Sequence, residues 1–187
     1  MQSIICTVPA SLTQQLDCEW FGNPVTPAIA YSFTTDDKHL IFRASQAAAV
    51  HAHPDGKSGE FREELWKYDT AEFFIAAESG FPYVEINIAP NGAWWACAFN
   101  APRVPLSPAP DWAGVEASGV VTEQGWQCSI SIPLHLLAEL GIHPENCRLA
   151  ATAILNSPDY IFLTTAEDTS GEPDFHRPHS WPTAMLS

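Results

Sequence analysis

Short runs of alternating apolar and polar residues, separated by turn residues, place the strongest constraint on the fold of this chain. The clearest run is 83–88, where three apolar residues would share one face of a strand: Val84, Ile86 and Ile88. The opposite face would carry Tyr83, Glu85 and Asn87. The Asn91-Gly92 dipeptide that follows is typical of a tight hairpin turn, and 16 prolines and 10 glycines punctuate the chain. This pattern predicts a set of paired β-strands.

Similar patterns predict strands at 28–33, 39–44, 66–76, 93–99, 115–122, 126–132, 148–155 and 160–164. One short helix is expected at 133–140, with Pro133 in its first turn and Gly141 just past its end. Many short strands with one short helix favour an all-β fold, an antiparallel β-sandwich. The chain has 187 residues and no internal repeat, so we expect 1–187 to form a single domain.

The charge balance of the chain is acidic, with 22 acidic and 8 basic residues and a formal net charge of −14. Such a surface repels phosphates and anionic headgroups, so neither a nucleic-acid nor a membrane partner is expected. No apolar run approaches the ~20 residues of a spanning helix, and the first residues lack the basic start of a signal peptide, which predicts a cytoplasmic protein. Five cysteines without a Cys-x-x-Cys pair predict free thiols, and Cys97 and Cys128 are expected in the core.

One segment carries the strongest indication of function. Trp66, Asp69 and Glu72 follow one another at intervals of three residues and lead into an apolar run. The Trp66 ring offers a flat apolar face, and the two carboxylates offer hydrogen-bond acceptors. A sugar ring has apolar C–H faces and a rim of hydroxyls, so this combination favours sugar binding. The chain contains no phosphate-binding loop, nucleophile elbow or zinc-protease motif, and no catalytic residue is predicted.

Four motifs in order resemble the family 9 carbohydrate-binding module and its relatives in the DOMON-like superfamily. They are Trp66-x-x-Asp69-x-x-Glu72, the hairpin 83–94, the strand-to-helix segment 125–134 and the C-terminal stretch 174–181. The resemblance spans most of the chain. It implies a DOMON-like β-sandwich that holds a small carbohydrate or polyol, without catalysis, between two aromatic faces.

Carried over residue by residue, the resemblance implies that Trp66 is one of these aromatic faces. The second face is Phe175, with His176 and Trp181 close enough in the sequence to compete for that role. The full set of ligand-binding residues predicted in this way is Trp66, Asp69, Glu72, Glu85, Asn87, Phe175 and His176.

The polar half of the predicted site is acidic. The resemblance implies that Glu72 and Glu85 accept hydrogen bonds from ligand hydroxyls, and ionised carboxylates are strong acceptors. Sugar-binding members often carry an arginine where Glu85 falls, whereas Lys67 is the only basic residue between 66 and 95. Two carboxylates without a guanidinium suit a hydroxyl-rich ligand, a cationic ligand or a metal ion.

Two interpretations from other functional classes remain open. His51 and His53 would point the same way on a strand, and with His176 and His179 they could form the metal site of a metal-dependent enzyme. The turn-forming residues after His53 instead favour a solvated loop pair. Apart from structural calcium, which relatives bind and an acidic surface allows, no cofactor is expected. The other interpretation is a protein-interaction domain whose cleft holds a peptide segment.

Overall fold

The computed structural model describes residues 13–186, which form two antiparallel sheets packed face to face. Numbered along the chain, the smaller sheet has the spatial order β1 (Gln14–Cys18), β2 (Pro24–Thr35), β3 (His39–Gln46), β9 (Gly125–Pro133) and β8 (Glu116–Thr122). The larger sheet has the order β11 (Ile161–Thr164), β10 (Cys147–Leu155), β4 (Thr70–Ala77), β5 (Tyr83–Ile88), β6 (Trp94–Ala101) and β7 (Val104–Pro105). Strand β12 (Thr183–Ala184) pairs with β10. The predicted antiparallel β-sandwich is confirmed.

The helical elements are short. Helix α1 (Leu134–Glu139) follows β9 directly and buries Leu136 and Leu137, close to the expected 133–140. It ends before Gly141, which adopts the left-handed backbone conformation (φ 68°) common after helices. Two 3-10 turns lie at Leu65–Lys67 and Pro178–Ser180. In residues 13–186 no helix is both long and apolar enough to cross a bilayer.

The strand expected at 66–76 begins later than the sequence predicted. Residues Leu65–Lys67 form a 3-10 turn, in which the Tyr68 N–H donates to the Leu65 carbonyl at 2.9 Å. Strand β4 starts only at Thr70. Trp66 therefore projects from a turn at the end of the sheet rather than from a strand.

The main core lies between the two sheets. Phe33 and Phe42 of the smaller sheet stack with ring centroids 4.9 Å apart, and Phe73 of β4 meets them at 5.4 and 5.1 Å. The inward residues of β5 are those that the alternation predicts: Val84, Ile86 and Ile88. Cys128 also lies in this core, as expected. The expectation for Cys97 is wrong, because it projects from the outer face of β6 and is only partly buried.

The outer face of the larger sheet is covered by residues 174–181, which we call the covering segment. Trp181 anchors this segment, with its ring 5.2 Å from Phe74 and 5.3 Å from Tyr83. Its indole N–H donates to the Phe175 carbonyl at 3.1 Å. Polar side chains that the strand alternation directs outward are thereby removed from water over part of the sheet.

Candidate functional site

A cavity of about 460 Å³ opens on the outer face of the larger sheet, beside the covering segment. Its volume is in the range typical of small-molecule sites, roughly 300–1,000 Å³. Its walls are mainly aromatic: Trp66, Phe74, Trp95, Phe99, Phe162 and Phe175. Its polar lining consists of Glu72, Glu85, Arg103 and His176. Five of the seven residues predicted to bind a ligand thus line one cavity.

Trp66 is the exposed aromatic side chain of this cavity, with 53% of its surface accessible. The Lys67 ammonium lies 5.5 Å from the centre of the indole ring and also binds the Glu64 carboxylate at 2.7 Å. A large apolar ring left this exposed beside a cavity is available for stacking against an apolar face of a ligand.

Phe175 is far less accessible than Trp66, with 9% of its surface exposed. Its ring packs about 6 Å from Trp20, Phe74 and Phe162. It therefore contributes a small part of its ring to the cavity wall. Trp181, the competing candidate for the second aromatic face, is 1% exposed and does not line the cavity. Its role is to anchor the covering segment.

Glu72 lies on β4 at the floor of the cavity and is 1% exposed. The Thr152 hydroxyl donates to Glu72 Oε2 at 3.3 Å, whereas Oε1 has no hydrogen-bond partner among the described residues. Burial raises the pKa of Glu72 well above its ordinary value, and the negative charge of Glu85 raises it further. The Thr152 hydrogen bond opposes this rise.

Glu85 and Asn87 project from β5 onto the same face of the sheet. The Asn87 amide donates to Glu85 Oε1 at 3.1 Å, and Asn87 Oδ1 has no partner within residues 13–186. Burial raises the pKa of Glu85 to about 7, although the Asn87 hydrogen bond and the positive charge of Arg103 oppose the rise. Both carboxyl groups therefore retain protons at a pH where ordinary carboxyl groups are ionised.

His176 joins Glu85 to the covering segment. Its Nδ1 lies 2.7 Å from the Tyr83 hydroxyl and its Nε2 lies 3.5 Å from Glu85 Oε2. Burial, together with Arg103, lowers the pKa of His176 to about 4 against the effect of Asp174, and burial raises the pKa of Tyr83 to about 12. Tyr83 thus stays protonated and donates to Nδ1, which assigns the remaining hydrogen to Nε2 and directs it towards Glu85.

Arg103 supplies the guanidinium that the sequence predicted to be missing, so that expectation is wrong. It lies in the turn between β6 and β7, outside the region 66–95 in which Lys67 is the only basic residue. Its Nη2 donates to Asp174 Oδ1 at 2.8 Å, and its backbone N–H donates to the Tyr83 oxygen at 3.1 Å. The same carboxylate accepts the His176 backbone N–H, so Asp174 connects the turn to the covering segment.

Asp69, also predicted to bind the ligand, serves the backbone instead. Its two carboxylate oxygens accept the N–H groups of His51 at 2.9 Å and Ser157 at 2.8 Å. It is 3% exposed and does not line the cavity. Asp69 fastens the loop after β3 to the turn between β10 and β11. The two N–H groups belong to residues 18 and 88 positions away, so these hydrogen bonds are long-range rather than those of a local turn.

The four histidines considered as metal ligands do not come together. Each has a different neighbour: Ser157 for His51, Tyr68 for His53, Tyr83 for His176 and Phe81 for His179. Within residues 13–186 no group of three or more His, Cys, Asp or Glu side chains is arranged to hold a metal ion. The alternative of a four-histidine metal site is therefore not assembled within residues 13–186.

Solved structures share this architecture. A candidate carbohydrate-binding protein from Bacteroides uniformis matches with a TM-score of 0.70 and 16% identity, over 94% of this chain and 86% of that chain. A family 9 carbohydrate-binding module from Caldicellulosiruptor kristjanssonii in complex with cellotriose matches with a TM-score of 0.61 and 10% identity, over 96% and 88% of the two chains. The glucose complex of a module of this family from the same organism matches with a TM-score of 0.59 and 10% identity, over 97% and 91%.

Sequence comparison adds no closer relationship. No family model matches the chain, and the search of curated proteins found no match. At 10–16% identity, the structural likeness concerns the fold. The broader DOMON-like relationship stays a prediction. The chain has the β-sandwich fold of the family 9 carbohydrate-binding modules.

Proposed function

We propose that this protein binds a small carbohydrate or similar polyol, without catalysis, in the cavity on the outer face of the larger sheet. One observation carries the proposal. Glu72 Oε1 in the aromatic-walled cavity, and Asn87 Oδ1 on the neighbouring strand, are buried and lack a hydrogen-bond partner among residues 13–186. A buried polar atom without a partner costs about 1–3 kcal/mol, and a ligand hydroxyl that donates to it would remove that cost.

The remaining groups suit the same class of ligand. The exposed face of Trp66 would stack against the C–H groups of a sugar ring. Arg103 and the Nε2–H of His176 are hydrogen-bond donors in the same cavity as the acceptor Glu72. Hydroxyl groups both donate and accept, so a lining of mixed character matches them. Stacking and a few hydrogen bonds would give an affinity on the order of micromolar to millimolar.

Glu72 pairs with Asn87 across β4 and β5, so Glu85 lies diagonal to it on the same face of one sheet. Both carboxyl groups line the cavity, where they can accept hydrogen bonds from hydroxyl groups. The related folds solved with cellotriose and glucose support carbohydrate as the ligand class.

Isothermal titration calorimetry with a panel of monosaccharides and disaccharides tests the proposal. We expect Trp66→Ala to weaken binding about tenfold, since the stacking contact is lost. Phe21→Ala is the matched control, because Phe21 is 66% exposed but lies outside the cavity, and it should leave binding unchanged. The proposal fails if no sugar gives heat, or if Trp66→Ala binds as tightly as the unmodified protein.

A further inference from the structure

The floor of the cavity is unusually rich in acceptors. Thr152, Glu72, Asn87 and Trp95 lie directly opposite one another across β10, β4, β5 and β6, and Glu85 is in the next row. The two atoms without partners, Glu72 Oε1 and Asn87 Oδ1, both accept and cannot donate when Glu72 is ionised. Their side chains are each 1% exposed; Glu72 lines the cavity, and Asn87 lies next to it across β4 and β5. While Glu72 is ionised, a ligand group that satisfies Glu72 Oε1 must bring a hydrogen.

The charge at this floor is also unbalanced. Glu72 and Glu85 are both buried, and the cationic side chains nearby are already paired. The Arg103 guanidinium binds Asp174 at 2.8 Å, and the Lys67 ammonium binds Glu64 at 2.7 Å. The groups that face Glu85 from the surrounding elements are Glu72, Tyr83, Asn87, Cys97, Arg103, Asp174 and His176.

The titratable neighbours do not offset the two carboxyl groups. His176 is neutral in this environment, because its Nδ1 accepts the Tyr83 hydroxyl and burial lowers its pKa to about 4. Burial, together with Glu85, raises the pKa of the Cys97 thiol to about 11, so that group is neutral as well. A positive charge on the ligand is therefore the complement that the site lacks.

We infer that the cavity prefers a sugar or polyol in which an ammonium group replaces one hydroxyl, that is, an amino sugar or an aminated polyol. This inference rests on the proposed function and specifies its ligand class. An ammonium brings three hydrogens and one positive charge to a floor with two unpartnered acceptors and two carboxyl groups. Charge-assisted hydrogen bonds are roughly twice as strong as neutral ones, which predicts about a tenfold preference over the matching hydroxyl compound.

Proton release would accompany this mode of binding. The pKa of Glu72 is raised and that of Glu85 is about 7, so the carboxyl pair is partly protonated near neutral pH. A bound ammonium group favours the ionised carboxylates, so its binding releases protons into the solvent. Affinity for the amine should therefore rise from pH 6 to 7.5, whereas affinity for the neutral sugar should not.

Calorimetric titration of the whole chain at pH 7.5 tests the inference with three matched pairs: glucose and glucosamine, galactose and galactosamine, sorbitol and glucamine. We expect at least one amine to bind about tenfold more tightly than its hydroxyl partner. Repeating the titration in two buffers of different ionisation enthalpy measures the protons released. Glu85→Gln should abolish the preference, and Glu116→Gln, an exposed change on the other sheet, should retain it.

The outcomes separate the two proposals. If a neutral sugar binds and no amine exceeds its partner, the inference is overturned and the proposed function stands. If no member of any pair binds, both are overturned. If the preference persists in the Glu72→Gln, Glu85→Gln double variant, general attraction to a chain of net charge −14 explains it and the inference fails.

Discussion

The outer faces of the two sheets share the same strand alternation but lie in different environments. On the larger sheet, Glu72, Asn87 and Thr152 point away from the core and are nevertheless at most 1% exposed. The covering segment, packed through Trp181, and the aromatic walls of the cavity remove water from them. Two of their polar atoms are left without partners in the described part of the chain.

The outer face of the smaller sheet shows what the same pattern gives where no segment of residues 13–186 covers it. Its polar side chains form a row across four strands: Ser32, Arg43, Ser129 and Ser118. They are partly or fully exposed, and Arg43 makes a hydrogen bond to Thr34 in contact with solvent. The groove on this face, of about 350 Å³, has no buried unpartnered atom among residues 13–186.

This difference shows that the direction of an outward side chain and its exposure to water are determined by two separate features of the chain. The period of two along a strand decides which side chains point outward. The covering segment, whose His176 contacts Tyr83 across 93 residues of sequence, determines whether an outward polar group of that sheet is exposed to water or buried. A buried polar group that lacks a hydrogen-bond partner can bind a ligand more strongly than a hydrated group, because fewer water molecules must be displaced when the ligand binds. The candidate site therefore lies on the covered face.

Removing the anchor of the cover should have the largest effect. Trp181→Ala deletes a fully buried indole that packs on Phe74 and Tyr83, and we expect it to lower the free energy of unfolding by about 4 kcal/mol. Arg43→Ala on the open face should change that free energy by no more than about 0.5 kcal/mol. Urea unfolding of both variants makes the comparison. Similar losses would contradict the distinction between the two faces.

A smaller effect is expected from removing a buried charge. Burial raises the pKa of Glu85 from 4.5 to about 7, so the folded state binds this proton more tightly than the unfolded chain. Stability therefore falls as the pH rises from 4.5 to 7 and stays lower above it. The glutamine of Glu85→Gln cannot ionise. The variant should therefore be more stable than the unmodified protein by about 3 kcal/mol at pH 8, and no more stable at pH 4.

The control and the pH window for this measurement follow from the neighbours of Glu85. The pKa of His176 is lowered from 6.5 to about 4, so its contribution to stability has the opposite sign and increases between pH 4 and 6.5. Urea unfolding between pH 6.5 and 8 thus avoids the contribution of His176. Glu116→Gln, exposed on the smaller sheet, should shift stability by no more than about 0.5 kcal/mol. Equal stability of Glu85→Gln and the unmodified protein at pH 8 would contradict the argument.

Local patterns were enough to predict most of the fold and part of the site. Alternation in 83–88 assigned Glu85 and Asn87 to the outer face, and the structure agrees. The hairpin at Asn91-Gly92 also fixes the position of a further residue of the site. Its register pairs Asn87 with Trp95, so the second tryptophan of the Trp94-Trp95 pair had to share the face of the site.

The remaining features depend on contacts that no local pattern carries. Arg103 reaches the site because a turn places it beside Asp174, 71 residues away. Asp69 has the spacing of a ligand-binding residue, yet two distant backbone N–H groups occupy its oxygens. The accessibility of Phe175 likewise follows from its packing against Trp20 and Phe162, which sequence spacing does not indicate.

The smallest expected effect comes from removing one hydroxyl group from the outer face of each sheet. Thr152→Val removes the donor to Glu72 Oε2 and leaves that buried oxygen unpaired, so we expect a loss of about 1 kcal/mol in the free energy of unfolding. Because the lost hydrogen bond lowers the pKa of Glu72, that pKa should rise further in the variant. Thr34→Val removes a hydroxyl bonded to Arg43 on the open face, where water replaces the bond, and should cost no more than about 0.5 kcal/mol. Urea unfolding at pH 8 measures both variants, and equal losses would mean that covering the larger sheet does not strengthen its hydrogen bonds.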